Sequence, residues 1–192
     1  MTLSIIWKFA VCFLIGAIPF ARIAMIGTGI DITKVGSKNP GFNNVLRVAS
    51  KWRAAFTLTG DIFKGFVALM LLSRSEPASV QWILGIAAVM GHCWSPFTGF
   101  NGGKGVATTV GVLLFLQPWL TIPCLPLYAI LRTFGRKRMH WRQEGAIASL
   151  TTMFVIATLV LALQGTAAGI FAYIMLAIIV VRHAPNLREI IS

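Results

Sequence analysis

An all-α, polytopic integral membrane protein with about seven transmembrane helices is the fold class this sequence predicts. Three observations carry that expectation. The 192 residues are 57% hydrophobic and only 11% charged, with a mean hydropathy of +0.80, as in chains buried in lipid. Apolar runs near the ~20 residues needed to cross a bilayer alternate with short polar links. The net charge of +12 comes from 17 Lys and Arg against 5 Asp and Glu, and the cations gather in a few links, as in cytoplasmic loops. A nucleic-acid partner would also explain a basic excess, but loop placement explains it better, and no nucleic acid is expected. Cys12, Cys93 and Cys124 lie far apart in apolar surroundings without a CxxC. Neither a disulfide framework nor a zinc site is indicated. One membrane domain over residues 1–192 is expected, with no metal and no cofactor.

The first apolar run covers about residues 3–23, interrupted by Lys8 and Pro19. It has no basic leader and no small-residue cleavage site, so it reads as a retained span. Lys8 is near enough to the start to snorkel. Residues about 24–53 form a polar loop with Arg22 at its edge, Lys34, Lys38, Arg47, Lys51 and Arg53 inside it, and Asp31 opposing them. A second span runs from about 54 to 73, and Arg74 and Glu76 cancel in the link that follows. The third covers about 79–96 and delivers His92 to a glycine-rich stretch. Helices follow at about 106–117, stopped by Pro118, and at about 119–131, kinked by Pro123 and Pro126. A basic loop spans 132–144, with Arg132, Arg136, Lys137, Arg138 and Arg142 against Glu144. Spans at about 145–163 and 166–181 are joined by Gln164-Gly165, and a tail runs from Arg182 to Ser192.

Seven crossings put the N-terminus outside and the C-terminus in the cytoplasm. The polar loop, the stretch 97–105, the basic loop and the tail then share the cytoplasmic side. They hold 14 of the 17 basic residues, as the positive-inside rule asks. The helices flanking Pro118 are short and could instead form a re-entrant hairpin, which leaves that sidedness unchanged.

The chain is organised around Gly91-His92-Cys93-Trp94-Ser95-Pro96-Phe97-Thr98-Gly99-Phe100-Asn101-Gly102-Gly103-Lys104-Gly105. Four glycines in its last seven residues make poor helix and poor strand. They leave backbone N–H groups open to a ligand, Lys104 adds a positive charge, and a helix starts after Gly105. A Gly-rich turn opening a helix is an anion site in form; the plain alternative is a flexible loop with a snorkelling lysine. A Walker A loop is excluded. Thr98 stands where its first Gly belongs, and Gly105 replaces the hydroxyl that would hold Mg²⁺. The His-to-Asp spacing of one acyltransferase family is also absent, because Phe97 stands five residues after His92.

Three further stretches carry polar chemistry. In Gly36–Arg47, Ser37, Asn39, Gly41 and Asn44 offer neutral hydrogen-bonding groups, and Arg47 is a bidentate phosphate binder. Asn44 and Arg47, three apart, share a face of a helix starting near Asn43. The alternative is a turn leading into a basic interfacial helix. Asp61 and Lys64 lie inside the second span, where ionisable groups are paired or functional. They can pair with each other at i,i+3, or face the polar cavity of Lys104. Arg182, His183, Asn186 and Arg188 cluster at the last helix end. That cluster is either a basic cap favoured by the helix dipole or a second anion site.

In chain order, Ser-x-Asn-x-Gly-x-x-Asn-x-x-Arg (37–47), Gly-Asp-x-x-Lys-Gly (60–65), Gly-His-x-x-x-Pro-x-x-x-x-x-Gly-Gly-Lys-Gly (91–105) and Arg-His-x-x-Asn-x-x-Arg (182–188) resemble the acyl-phosphate-dependent glycerol-3-phosphate acyltransferases of bacteria, the PlsY family. The resemblance implies fatty acyl transfer from acyl-phosphate to glycerol 3-phosphate, giving 1-acylglycerol 3-phosphate and phosphate. It implies a bacterial inner membrane and membrane lipid as surroundings. By position it makes His92, Lys104 and His183 catalytic candidates. Ser37, Asn39, Gly41, Asn44, Arg47, Gly102, Gly103, Gly105, Arg182, Asn186 and Arg188 become phosphate- or substrate-binding candidates, with Asp61 and Lys64 beside them. Lys38 and Asn101 depart from the family pattern, standing where Gly and Lys are expected, and the third motif is cut short after Glu189.

The residues fit that chemistry. An acyl-phosphate has a good leaving group, so no Ser or Cys triad is needed and none is visible. Positioning, charge stabilisation and removal of one hydroxyl proton remain. His92 and His183 are candidate bases. The rival is a phosphate oxygen of the donor, favoured by a cationic pocket that lowers the pKa of a histidine within it. A transporter or channel for phosphate-bearing anions is the alternative class. It predicts inverted repeats, and the two halves show none.

Overall fold

The computed structural model describes residues 2–141 and 143–191. Arg142 of the basic loop and the last tail residue, Ser192, lie outside the described residues. The chain divides into two compact units, 1–115 and 116–192. Every regular element among the described residues is helical.

The first unit contains α1 (Thr2–Ala17), α2 (Phe20–Ala24), α3 (Phe42–Val48), α4 (Lys51–Leu72), α5 (Ala78–Cys93), a 3₁₀ turn (Pro96–Thr98) and α6 (Val106–Leu116). The first expected span is broken. Pro19 lacks an N–H and cannot continue α1, so the chain stops at Ala17 and restarts at Phe20. That break leaves carbonyls of Ala17 and Ile18 without helical partners. The Ser95 hydroxyl donates to the first at 2.6 Å and the Lys64 ammonium to the second at 2.8 Å.

The helix α4 starts where Ser50 accepts from the Arg53 amide at 3.3 Å, a conventional N-cap. The interface of α1 with α5 is made by backbone approach. A Cβ at Gly16 would overlap the carbonyl of Ala88, and one at Gly91 the carbonyl of Phe13. The same device joins α4 to α6, with Gly65 against Thr108 and Gly111 against Ile62. Small residues at these crossings let main chains touch, which is how helices associate without a solvent-driven force. Lys8 forms an ion pair with Glu76 in the α4–α5 link.

The second unit contains α7 (Pro118–Lys137), α8 (Glu144–Gln164), α9 (Thr166–Arg182) and α10 (Ala184–Ile191). α8 packs against both α7 and α9. α7 runs through Pro123 and Pro126 and extends six residues beyond the expected end at 131. Arg132, Arg136 and Lys137, expected in a loop, are good helix formers, and cations suit a helix C-terminus. The expected tail is a further helix, α10, bent 65° from α9.

Leu3–Ala24, Lys51–Leu72 and Glu144–Gln164 are long and apolar enough to cross a membrane, and the bent α9–α10 pair passes the same test only when its two helices are taken together. α6, at 11 residues, is shorter than a crossing.

Candidate active site

The polar centre of the first unit is built on α4. Asp61 and Lys64, one turn apart, form an ion pair of 2.8 Å with side chains only 4% and 3% exposed. His92, in the last turn of α5, brings Nδ1 to 3.5 Å from the same Asp61 oxygen. Three segments therefore meet at one carboxylate: α4 itself, the α1–α2 break through Lys64, and the end of α5 through His92. A small cavity lies over this cluster. Asp61, Lys64, His92, Ser95, Gly102 and Gly103 line it, together with Pro40 of the first loop. Lys104 is next to the lining but outside it, and is half-buried.

The glycine stretch folds back over α5. The Gly102 amide donates to the Cys93 carbonyl and the Gly103 amide to the His92 carbonyl, each at 3.1 Å. The last carbonyls of α5 have no partner within their own helix, and these two amides supply one. The expectation that these glycine N–H groups stand open to a ligand is therefore corrected. Gly103 is required sterically: a Cβ there would overlap Nε2 of His92 and come within 3.1 Å of the Pro40 carbonyl. That contact brings the first and second sequence motifs together. Gly105 has φ +84°, a conformation that favours glycine, and its carbonyl receives the Thr109 amide at 2.8 Å to start α6. Lys104 thus sits between two fixed glycines at a helix entrance. Arg22 ties α2 to the same turn, donating to the Phe97 carbonyl at 2.8 Å.

The first loop is held by Asn44, which is 1% exposed. Its Oδ1 accepts the Ser37 amide at 2.9 Å, and its Nδ2 donates to the carbonyls of Ile32 and Val35, both at 3.0 Å. Asn44 and Arg47 both lie on α3, three residues apart, with Asn44 buried and Arg47 exposed. Ser37 is exposed, Asn39 and Gly41 are half-buried, and the Gly41 amide donates to the Asn39 carbonyl at 3.0 Å. Bonds from the Thr33 hydroxyl, and then its amide, hold the Asp31 carboxyl below the usual carboxylate range. The loop's acid is thereby engaged with its own turn.

In the second unit His183 occupies the bend between α9 and α10 and is 2% exposed. Its Nδ1 lies 2.8 Å from the Ile179 carbonyl, which can only accept, so Nδ1 carries a proton. Nε2 is 3.4 Å from the Ser149 hydroxyl of α8. Asn186 donates to Gln143 at 2.6 Å, and Gln143 in turn reaches Glu189. Arg182 is half-buried and Arg188 exposed. Ser149, Gln143, Ser95 and Pro40 were not legible as site residues. Of these, Pro40 and Ser95 lie inside motif stretches, 37–47 and 91–105.

The family model for glycerol-3-phosphate acyltransferase matches residues 6–192. A glycerol-3-phosphate acyltransferase of Neisseria meningitidis serogroup A is 39% identical over 194 residues, covering 95% of this chain and 92% of the relative. The chain belongs to the glycerol-3-phosphate acyltransferase family. Two crystal structures of PlsY, an integral membrane member, share its fold at 28% identity. The glycerol 3-phosphate form has a TM-score of 0.86 and the lysophosphatidic acid form 0.84, each covering 98% of this chain and 92% of the other. Membership in the PlsY family makes the chain an acyltransferase of phospholipid synthesis.

Proposed function

We propose that this protein transfers a fatty acyl group from acyl-phosphate to glycerol 3-phosphate, giving 1-acylglycerol 3-phosphate and inorganic phosphate. The family match across residues 6–192 carries the reading. The acceptor is the one named for the relatives, and the acyl-phosphate donor follows from the motif resemblance. The acceptor hydroxyl oxygen bonds to the acyl carbonyl carbon, and the bond from that carbon to the donor's phosphate oxygen breaks. Phosphate leaves with the electron pair. The hydroxyl proton passes to a phosphate oxygen, with His183 and His92 acting through binding and positioning.

Lys104 holds one phosphate, with Ser37, Asn39, Gly41 and Arg47 supplying polar groups from the first loop. Arg182, His183, Asn186 and Arg188 hold phosphate in the second unit. Asn44 acts by shaping the first loop. α1 with α2, α4, α5, α8 and α9 cross, and the short α6 with α7 either completes seven crossings or forms a re-entrant hairpin; in both cases the N-terminus is outside and the C-terminus in the cytoplasm. α3 and α10 lie at the surface. The gathering of 14 of the 17 basic residues in the polar loop, the stretch 97–105, the basic loop and the tail supports that orientation in a bacterial inner membrane.

The test is phosphate release by purified protein given acyl-phosphate, with and without glycerol 3-phosphate. Release should depend on the acceptor and be matched by lysophosphatidic acid. Acyl transfer from acyl-CoA alone, or release indifferent to glycerol 3-phosphate, refutes the reading.

A further inference from the structure

We propose that Asp61 is a positioning residue for the loop that carries Lys104, acting through His92. The idea rests on the acyl-transfer reading only for its kinetic consequence. Lys64, on the same helix, already neutralises Asp61 at 2.8 Å. A pair serving only to neutralise α4 would need no second partner, yet the same carboxylate oxygen lies 3.5 Å from His92 Nδ1 on another helix. A carboxylate at Nδ1 makes that nitrogen the protonated one and fixes the rotation of the ring. The other nitrogen, Nε2, then lies against Gly103, so close that a Cβ would overlap it. The His92 carbonyl holds the Gly103 amide, and the neighbouring Cys93 carbonyl the Gly102 amide, both at 3.1 Å. Ring and main chain of one residue thus grip the two glycines that precede Lys104. Lys64 itself also donates to the Ile18 carbonyl at 2.8 Å, a bond that the grip on the two glycines does not use.

Removing one charge of a buried pair strands the other, so the test uses variants that remove both. Asp61→Asn/Lys64→Met keeps an oxygen to accept from His92, whereas Asp61→Leu/Lys64→Met keeps none. Hydrogen exchange of the whole protein in lipid nanodiscs reads the amides of Gly102 and Gly103. In the leucine variant they should exchange roughly tenfold faster, the scale of one lost hydrogen bond, while the interior amides of α4 and α5 keep their protection. The asparagine variant should exchange like the parent. In turnover, the leucine variant should raise the KM of a phosphate substrate several-fold, with kcat within about twofold of the parent.

Equal exchange in both variants, fast or slow, overturns the proposal. So does a fall in kcat at constant KM. Should the leucine variant fail to fold, Asp61→Ala/Lys64→Met replaces it with the same expectations. Exchange needs no turnover, so a parent protein inactive with acyl-phosphate would sink the acyl-transfer reading and leave this test intact.

Discussion

Replacing Asn44 with alanine separates a loop-shaping role from direct phosphate binding. Its side chain spans 12 residues of sequence and makes three hydrogen bonds, to Ser37, Ile32 and Val35, at 2.9–3.0 Å. At roughly 0.5–1.5 kcal/mol net for each bond, three sum to about 1.5–4.5 kcal/mol. The middle of that range, about 3 kcal/mol, corresponds to a loop that opens on the order of 10²-fold more often. Hydrogen exchange at the Ser37 amide, or limited proteolysis across residues 28–41, should rise by that factor in Asn44→Ala. Asn44→Asp should be worse, because a carboxylate would face the Ile32 and Val35 carbonyls in place of the amide donor. Activity should fall in both, following the loop. An Asn44→Ala protein with parental exchange and a raised KM would show that the amide binds substrate directly, and the clamp would be wrong.

Lys104→Ala should fold normally and lose at least about tenfold in kcat/KM, since a hydrogen bond to a charged group is worth ~1.5–3 kcal/mol; parental kinetics would remove Lys104 from the site. His183→Gln should lose activity mostly through KM and keep a pH limb that belongs to phosphate. Loss of turnover by roughly 10²–10⁴ with unchanged KM and no remaining limb would make His183 the general base. Single cysteines at Lys38, Asn101 and Glu189, in a cysteine-free background, should resist impermeant reagents in intact cells. Labelling of any one from outside would refute the proposed orientation.

The helices were legible because length and apolarity suffice to mark them, and α4, α8 and α9 lie within about three residues of expectation. The Asp61–Lys64 pair was legible too, as an i,i+3 contact within one helix. What sequence spacing does not carry is contact between helices. Nothing in the chain order announces that His92 turns to Asp61, that Lys64 reaches the carbonyl freed by Pro19, or that Lys8 finds Glu76. The glycine turn shows the same limit. Composition marked its amides as open, but α5 ends with carbonyls that need donors, and folding back satisfies them. Asn44 was recognised as polar and important for its position in a motif. Its burial and its three bonds to the loop backbone are what the sequence did not carry.

The pairing of Lys8 with Glu76 has a consequence for biogenesis. The two lie 68 positions apart, and a ribosome adds roughly 5–20 residues per second. α1 therefore emerges and enters the bilayer seconds before its counter-ion exists, and before α5, whose backbone its glycine face is shaped to meet. During that interval Lys8 lacks this counter-ion, and its position near the start of the helix lets it reach the headgroups instead. Variants that remove Glu76 should thus show first as poor yield of inserted protein, with normal turnover by the molecules that survive.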